Sequence, residues 1–568
     1  MKLTLKALLA LGLFASMGTV STVALADGCC GEEDDSDCGS GCRTKFLPIS
    51  VGENRARDYV EVTRFQFLPN QDDWNWHASV AIEYQQNFDR CRLGKYFFPT
   101  NNTLTAGGCG VAGVDIRAVD LGLSSTINAT LRIEPKITNW VIEPALYVGL
   151  DRWIEGLWFW FKVPVAHTRW NLDCCETRTA NGGATFNPAP TGAGASSTNK
   201  QEALKSNLAP YTTNSTATVC SVGATTLTAA LAGVAFCDAS ALCAGKIECC
   251  GSSKTRVADL PIHLGYNFIN QDNGYLGIYG RLVLPLGNRA EADRLFAPAI
   301  GYGRWQLGAG LNGRIQLYDK DEDTQVNLFG DLSATYIFKR SECRVFDMAG
   351  LGCMSRFTLL KEADTNGNYT GNLVHFADLF SACVKSGFSW NIDGLLFLDL
   401  KHKGWNVDLG YEFQYRNKEK IDCDCLSRCN ACDDCNSCGD SWFGGSSCNK
   451  ATSLGGKSYG VKGTLDLDGI GNKVTTASTT KINACTAVGG ADANPVLIND
   501  GNFTTYLDLD SGRIPSATSN KIWANVGYTW SDRDYPVSLG AFGEVAFGRS
   551  HKALRIWGIG AKAAIAYN

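Results

Sequence analysis

Residues 404–416, GWNVDLGYEFQYR, put an apolar or aromatic side chain at every second position: Trp405, Val407, Leu409, Tyr411, Phe413 and Tyr415. Between them stand Asn406, Asp408, Glu412, Gln414 and Arg416. This period of two describes a strand with one apolar and one polar face. In a soluble sheet the apolar face needs a covering layer, yet the pattern recurs along the chain without amphipathic helices or long apolar core strands. The economical solution is lipid on one side and water on the other. The fold class expected is therefore all-β, a transmembrane antiparallel β-barrel.

The N-terminus sets the compartment. Lys2 and Lys6 flank an apolar run from Ala7 to Val23, and Ala24-Leu25-Ala26 supplies the small residues of a signal-peptidase site. Residues 1–26 are read as a signal peptide, with the exported chain beginning near Asp27. Beyond it, no stretch approaches the ~18 to 20 apolar residues of a spanning helix. A mean hydropathy of −0.10 is too polar for a helical membrane protein. The 61 Gly suit tight turns and close strand packing, while Trp, Tyr and Phe fit aromatic girdles at two interfaces. The net charge of −5, or −7 after loss of the two signal lysines, suggests no nucleic-acid partner.

Alternation predicts strands near 44–52, 58–68, 74–86, 113–123, 126–137, 140–151, 156–170, 255–270, 274–286, 302–318, 324–340, 387–401, 404–418, 521–532, 536–548 and 553–567. This is about 16 strands, with about 14 as the alternative because the first is weak and outer-membrane barrels favour even numbers. With the C-terminus in the periplasm, the periplasmic connections (151–156, 270–274, 318–324, 401–404 and 532–536) are short. The opposite ones (87–112, 171–254, 287–301, 341–386 and 419–520) are long, with 138–139 and 549–552 as short exceptions. Short turns inside and long loops outside are the asymmetry of outer-membrane barrels. The domains expected are the signal peptide, a cysteine-rich periplasmic segment 27–43, and a barrel over 44–568 with extracellular loops. Only 27–43 then precedes the first strand, which leaves no globular plug for the lumen.

All 24 cysteines follow the signal, and they cluster in the N-terminal segment and the long loops. In an exported chain they read as disulfides of undetermined connectivity. Candidates are Cys174, Cys175, Cys249 and Cys250, together with the dense group Cys423, Cys425, Cys429, Cys432, Cys435 and Cys438. The adjacent pairs cannot easily both close within one small loop, so bridges between loops or between neighbouring molecules are expected. The C-x-x-C steps also suit zinc, but such sites usually belong to reducing compartments. No metal and no cofactor is expected.

The segments LWFWFKVPVAHTR (157–169), GYGRWQLGAGL (301–311), DTQVNLFGDLSATYIF (323–338) and GWNVDLGYEFQYR, with the cysteine-laden loops, resemble the cysteine-rich major outer membrane protein porins of chlamydia-type bacteria. Those segments cover about a tenth of the chain. The resemblance implies passive diffusion of small solutes and an envelope stiffened by disulfide cross-linking. One departure is the end of the chain, where Asn568 follows Tyr567 although such barrels usually close on an aromatic residue.

No enzyme constellation emerges. The six histidines are scattered, and neither a G-x-S-x-G elbow nor an H-E-x-x-H helix is present. The candidates for the water-facing wall are Glu83, Arg132, Glu134, Glu143, Lys162, Arg281, Arg314, Asp331, Asp408, Glu412, Arg416, Glu544 and Lys562. Charges of both signs leave ion preference open. The function expected is that of an outer-membrane porin for ions and small hydrophilic solutes, and the alternative is a barrel-anchored structural protein or adhesin with little channel activity. Expected partners are outer-membrane lipid, small hydrophilic solutes and further copies of the chain, disulfide-linked or trimeric.

Overall fold

A computed structural model of the chain describes residues 42–49, 51–60, 74–107, 114–124, 127–180, 223–236, 239–288, 291–320, 324–350, 352–363, 369–428, 454, 456–461, 497–498, 503–531, 535–548 and 552–567. The alternating segments form one closed antiparallel sheet. Its strands are β1 (Asn75–Asn87), β2 (Lys136–Gly149), β3 (Leu157–Lys162), β4 (Leu260–Gln271), β5 (Gly274–Leu284), β6 (Gln306–Lys320), β7 (Thr324–Ile337), β8 (Asn391–His402), β9 (Trp405–Arg416), β10 (Ala517–Trp530), β11 (Val537–Gly548) and β12 (Ile556–Tyr567). Each pairs with the next, and β1 closes the ring by pairing with both β2 and β12. Two further segments, Val165–Asn171 and Ser252–Val257, continue β3 and β4 beyond short breaks and pair with each other and with β2.

The barrel thus has twelve strands rather than sixteen or fourteen. Four expected strands do not join it. The described residues of 44–52 form no strand, and 58–68 begins within a helix and continues into residues outside those described. Of 113–123, only Ile116–Arg117 is extended, and it pairs with Thr103–Gly107. Asn128–Arg132 pairs with Thr103–Gly107 and Cys175–Ala180 in a separate four-stranded sheet. Alternation marks a half-buried strand without saying which sheet it joins. Moving these two segments into the first long connection removes the exceptional 138–139 turn. The connections then alternate: 150–156, 272–273, 321–323, 403–404 and 531–536 are short, and all but one of the others are long. We call these the turn end and the loop end.

Both faces follow the alternation. Leu409 is 57% exposed and Val407 41%, while Asp408 and Glu412 between them are buried. The outer surface carries Val80, Ile142, Leu264, Leu311, Leu332, Leu398, Leu409, Ile522, Leu539 and Ile559. Aromatic rings flank this aliphatic band at both ends: Trp405, Tyr528, Trp530, Tyr535 and Tyr567 toward the turns, and Tyr84, Trp140, Trp557, Tyr336 and Trp390 toward the loops. Among the described residues no helix is long and apolar enough to cross a membrane. The β8–β9 hairpin turns on Lys403 and Gly404, both at positive φ (45° and 85°), as a two-residue turn matched to strand twist requires.

At the loop end the long connections fold onto one another. Tyr96 and Phe97 from the first, Leu227 and Leu231 from the second, Phe296 from the third and Phe357 and Phe388 from the fourth share one buried apolar cluster with Phe46 and Trp170. Phe46 meets Tyr96 at 5.1 Å and Trp170 at 5.9 Å between ring centroids. A second cluster joins Phe346, Phe376 and Phe380 to Leu454, Ile498 and Leu507 of the longest connection. These clusters form a cap at the loop end.

Candidate functional site: an occupied lumen

Residues 51–60, ahead of β1, run inside the barrel. Cys42 is at the loop end, joined by a disulfide to Cys353 of the cap. Thr44 donates to the Val345 and Ser511 carbonyls there. Residues 51–60 then descend between the walls, and Trp74, packed 5.1 Å from Trp153, is at the turn end. The segment's centre is a single turn of helix, α1 (Arg55–Tyr59), every residue of which is buried. Asn54 caps it, its side-chain oxygen accepting from the Arg57 amide at 3.3 Å.

Around α1 the wall presents a ring of charge. Glu83, Glu143, Asp331, Asp393, Glu412 and Glu544 face inward with Lys162, Arg281, Lys521 and Lys562, each from a different strand and each buried. Arg57 donates from Nη1 to Glu83 at 2.6 Å and from Nη2 to Glu143 at 2.9 Å. Asp58 pairs with Lys162, and Glu53 with Arg281 at 2.9 Å. Arg55 donates to Tyr279 and Ser333 and stands 3.6 Å from Asp331. The Tyr59 hydroxyl donates to Asp331 at 2.6 Å. Asn54 donates to Glu83 and Glu544 and accepts from Lys521. Lys562 donates to the carbonyls of Arg57 and Asp58 at 3.1 and 2.9 Å.

An aromatic belt packs against Ala56, Tyr59 and Val60: Tyr147, Trp158, Trp160, Tyr275, Tyr279, Phe329, Phe397, Trp523 and Phe542. Inward glycines make room for these rings. A Cβ on Gly410 would lie 2.3 Å from the Trp523 indole, and one on Gly265 would lie 2.1 Å from Trp158. Small inward residues opposite large ones let the rings lie flat on the wall.

Most of the expected wall residues are here. Glu83, Glu143, Lys162, Arg281, Asp331, Glu412, Glu544 and Lys562 form the ring, and Asp408 lies inside toward the turn end, accepting from Asn525 at 2.9 Å. Arg416 is buried at the loop end, 4.6 Å from the centre of the Phe388 ring. Arg314 reaches the Asp272 carbonyl at the turn end. Arg132 and Glu134 are a correction: they form a largely exposed ion pair with each other outside the barrel, because Asn128–Arg132 belongs to the cap sheet. The expectation of an unplugged lumen is also corrected, since Glu53–Tyr59 occupies it. The signal for this was the density of charge in ENRARDY, which alternates poorly; Asp393 and Lys521, also unanticipated, lie on strands whose inward positions the period of two marks.

Among the cysteines, Cys174 and Cys249 are bridged. Cys175 and Cys250 are free and exposed, so these two candidates form no bridge within the chain. Cys243, Cys343 and Cys383 are also disulfide-bonded. Cys423 and Cys425 lie on the Lys420–Arg428 strand of the cap, and Cys429, Cys432, Cys435 and Cys438 fall outside the described residues. So does the expected signal peptide, and of the segment 27–43 only Cys42 and Arg43 are described. Those two lie at the loop end.

No family model and no curated protein matches the chain. Among solved structures it is similar to an outer membrane channel from Pseudomonas putida F1 (10% identity, 86% of this chain and 95% of that one, TM-score 0.32). It is also similar to the translocator domain of the autotransporter NalP from Neisseria meningitidis (6%, 90% and 94%, 0.25) and to a Pseudomonas aeruginosa FadL homologue (9%, 87% and 89%, 0.22).

Proposed function

We propose that the chain is an outer-membrane channel for ions and small hydrophilic solutes, with the loop end outside the cell and α1 as a resident plug. The observation that carries this reading is the ring of ten buried charges on ten strands. Removing charges from water is costly even when they are paired, and a barrel that served only as an anchor could fill its interior with apolar side chains. A wall that stays polar behind its plug suits a water-filled route once the plug moves. The aliphatic band between two aromatic girdles supports placement in a membrane, and the exposed, unbridged Cys175 and Cys250 support cross-links to neighbouring molecules that would stiffen the envelope.

Single-channel recording tests this. Refolded protein should be mostly closed with brief openings, and Arg55→Ala with Arg57→Ala should lengthen them. Barrels that migrate heat-modifiably yet never conduct in either form would overturn it. That result would favour the second reading, a barrel-anchored surface protein, for which the apolar core shared by the loops speaks.

A further inference from the structure

We infer that Glu83 and Glu143 form a guanidinium-binding site in the wall, and that Arg57 is its resident occupant. The two carboxylates stand on neighbouring strands β1 and β2 and both are buried. Arg57 meets them with separate terminal nitrogens, Nη1 on Glu83 and Nη2 on Glu143, and Nη2 also donates to the Gly52 carbonyl at 3.0 Å. A planar cation that spreads its N–H groups over two acceptors is what this spacing selects, and a spherical ion such as sodium matches it poorly.

The site belongs to the wall, because neither acid is on the plug. Asn54 and Gln85 donate to Glu83 and hold its orientation without neutralising it. The nearest wall cation, Lys162, is committed to Asp58 and lies 3.6 Å from Glu143. When Arg57 leaves, Glu83 and Glu143 lose the cation that bridges them and face the lumen with Lys162 beside Glu143. Around the whole ring, six carboxylates face four cations, so the cleared channel attracts positive solutes. Solutes bearing a guanidinium group compete with Arg57 for its place. This deepens the channel reading by naming a solute class, but the binding site itself does not depend on conduction.

Chemical rescue in the full-length refolded protein tests it. Arg57→Ala should lower the temperature at which the barrel loses its folded gel mobility, and millimolar methylguanidinium should recover at least half of the lost shift while sodium at equal ionic strength does not. Adding Glu83→Gln and Glu143→Gln to Arg57→Ala should abolish the recovery. Equal effects of sodium and methylguanidinium, or a recovery that survives loss of both carboxylates, would overturn the site. If Arg57→Ala does not refold, Arg57→Lys keeps a charge but loses the two-pronged geometry, and the same comparison applies. Rescue without conductance would remove the channel reading and leave the site standing.

Discussion

Arg416 donates to the carbonyls of Leu47 and Pro48 at 2.9 and 3.2 Å, so the last residue of β9 grips the stretch where the N-terminal segment enters the barrel. The grip is charge-assisted and buried. Arg416→Ala should weaken this entry by about 1.5–3 kcal/mol, the usual range for hydrogen bonds to charged groups. Limited proteolysis should then cut within 42–60 faster than in the parent while the strands stay protected. Equal cutting rates would show that Arg416 does not hold the segment.

Leu409 and Glu412 share a strand and face opposite ways. Leu409→Arg should impair folding into bilayers by roughly 2–4 kcal/mol if it sits near the midplane. Glu412→Lys should still insert, but it loses the acceptor for the Ala56 amide and sets a second lysine beside Lys521. Its expected phenotype is a loosened plug and more frequent channel openings. Insertion of Leu409→Arg as readily as the parent would argue against lipid on that face.

The cap should be sensitive to acid. Burial alone would push the Glu342 carboxyl up, but Arg344, Lys45 and Arg304 outweigh it and hold it well below its ordinary value of 4.5; Glu419 is lowered too, with Arg344 and Arg304 outweighing burial. Folded carboxylates held low contribute stability that is fully present above the unfolded value and is lost as pH falls through the folded one. The share of cap stability that comes from Glu342 and Glu419 should therefore be unchanged between pH 7 and 5 and be lost below about 4.5. Glu342→Gln with Glu419→Gln should flatten that dependence; an unchanged acid limb would assign it elsewhere.

Thiol chemistry separates the vicinal cysteines. A polar alkylating reagent should modify Cys175 and Cys250 without prior reduction and leave Cys174 and Cys249 untouched. Cys175→Ser with Cys250→Ser should deplete any reducible oligomers on non-reducing gels, whereas Cys174→Ser should cost about 2–4 kcal/mol of stability. Oligomers that persist in the double variant would place the cross-links on other cysteines.

The wall was readable because the outer and inner surfaces of the barrel impose opposite demands on neighbouring residues such as Leu409 and Glu412, and a one-residue slip would turn Asp408 to the apolar outer face. The strands from β1 at Asn75 to β12 at Tyr567 follow from that contrast. The contrast does not say which sheet a strand joins, so Asn128–Arg132, half-buried in the cap, passed for barrel wall. It also fails inside the lumen, where polar and apolar residues are buried together and Arg57 and Tyr59 are both hidden. The pairing of Cys42 with Cys353 spans 311 positions and carries no local signal.

The route of the N-terminal segment constrains how the molecule is made. Cys42 is at one mouth and Trp74 at the other, and the cap holds the loop end through Cys353. A chain fastened in this way cannot be drawn into a finished cylinder from the side. α1 must therefore be in place before the wall and the Cys42–Cys353 bridge have both closed, which ties filling of the lumen to the last steps of assembly.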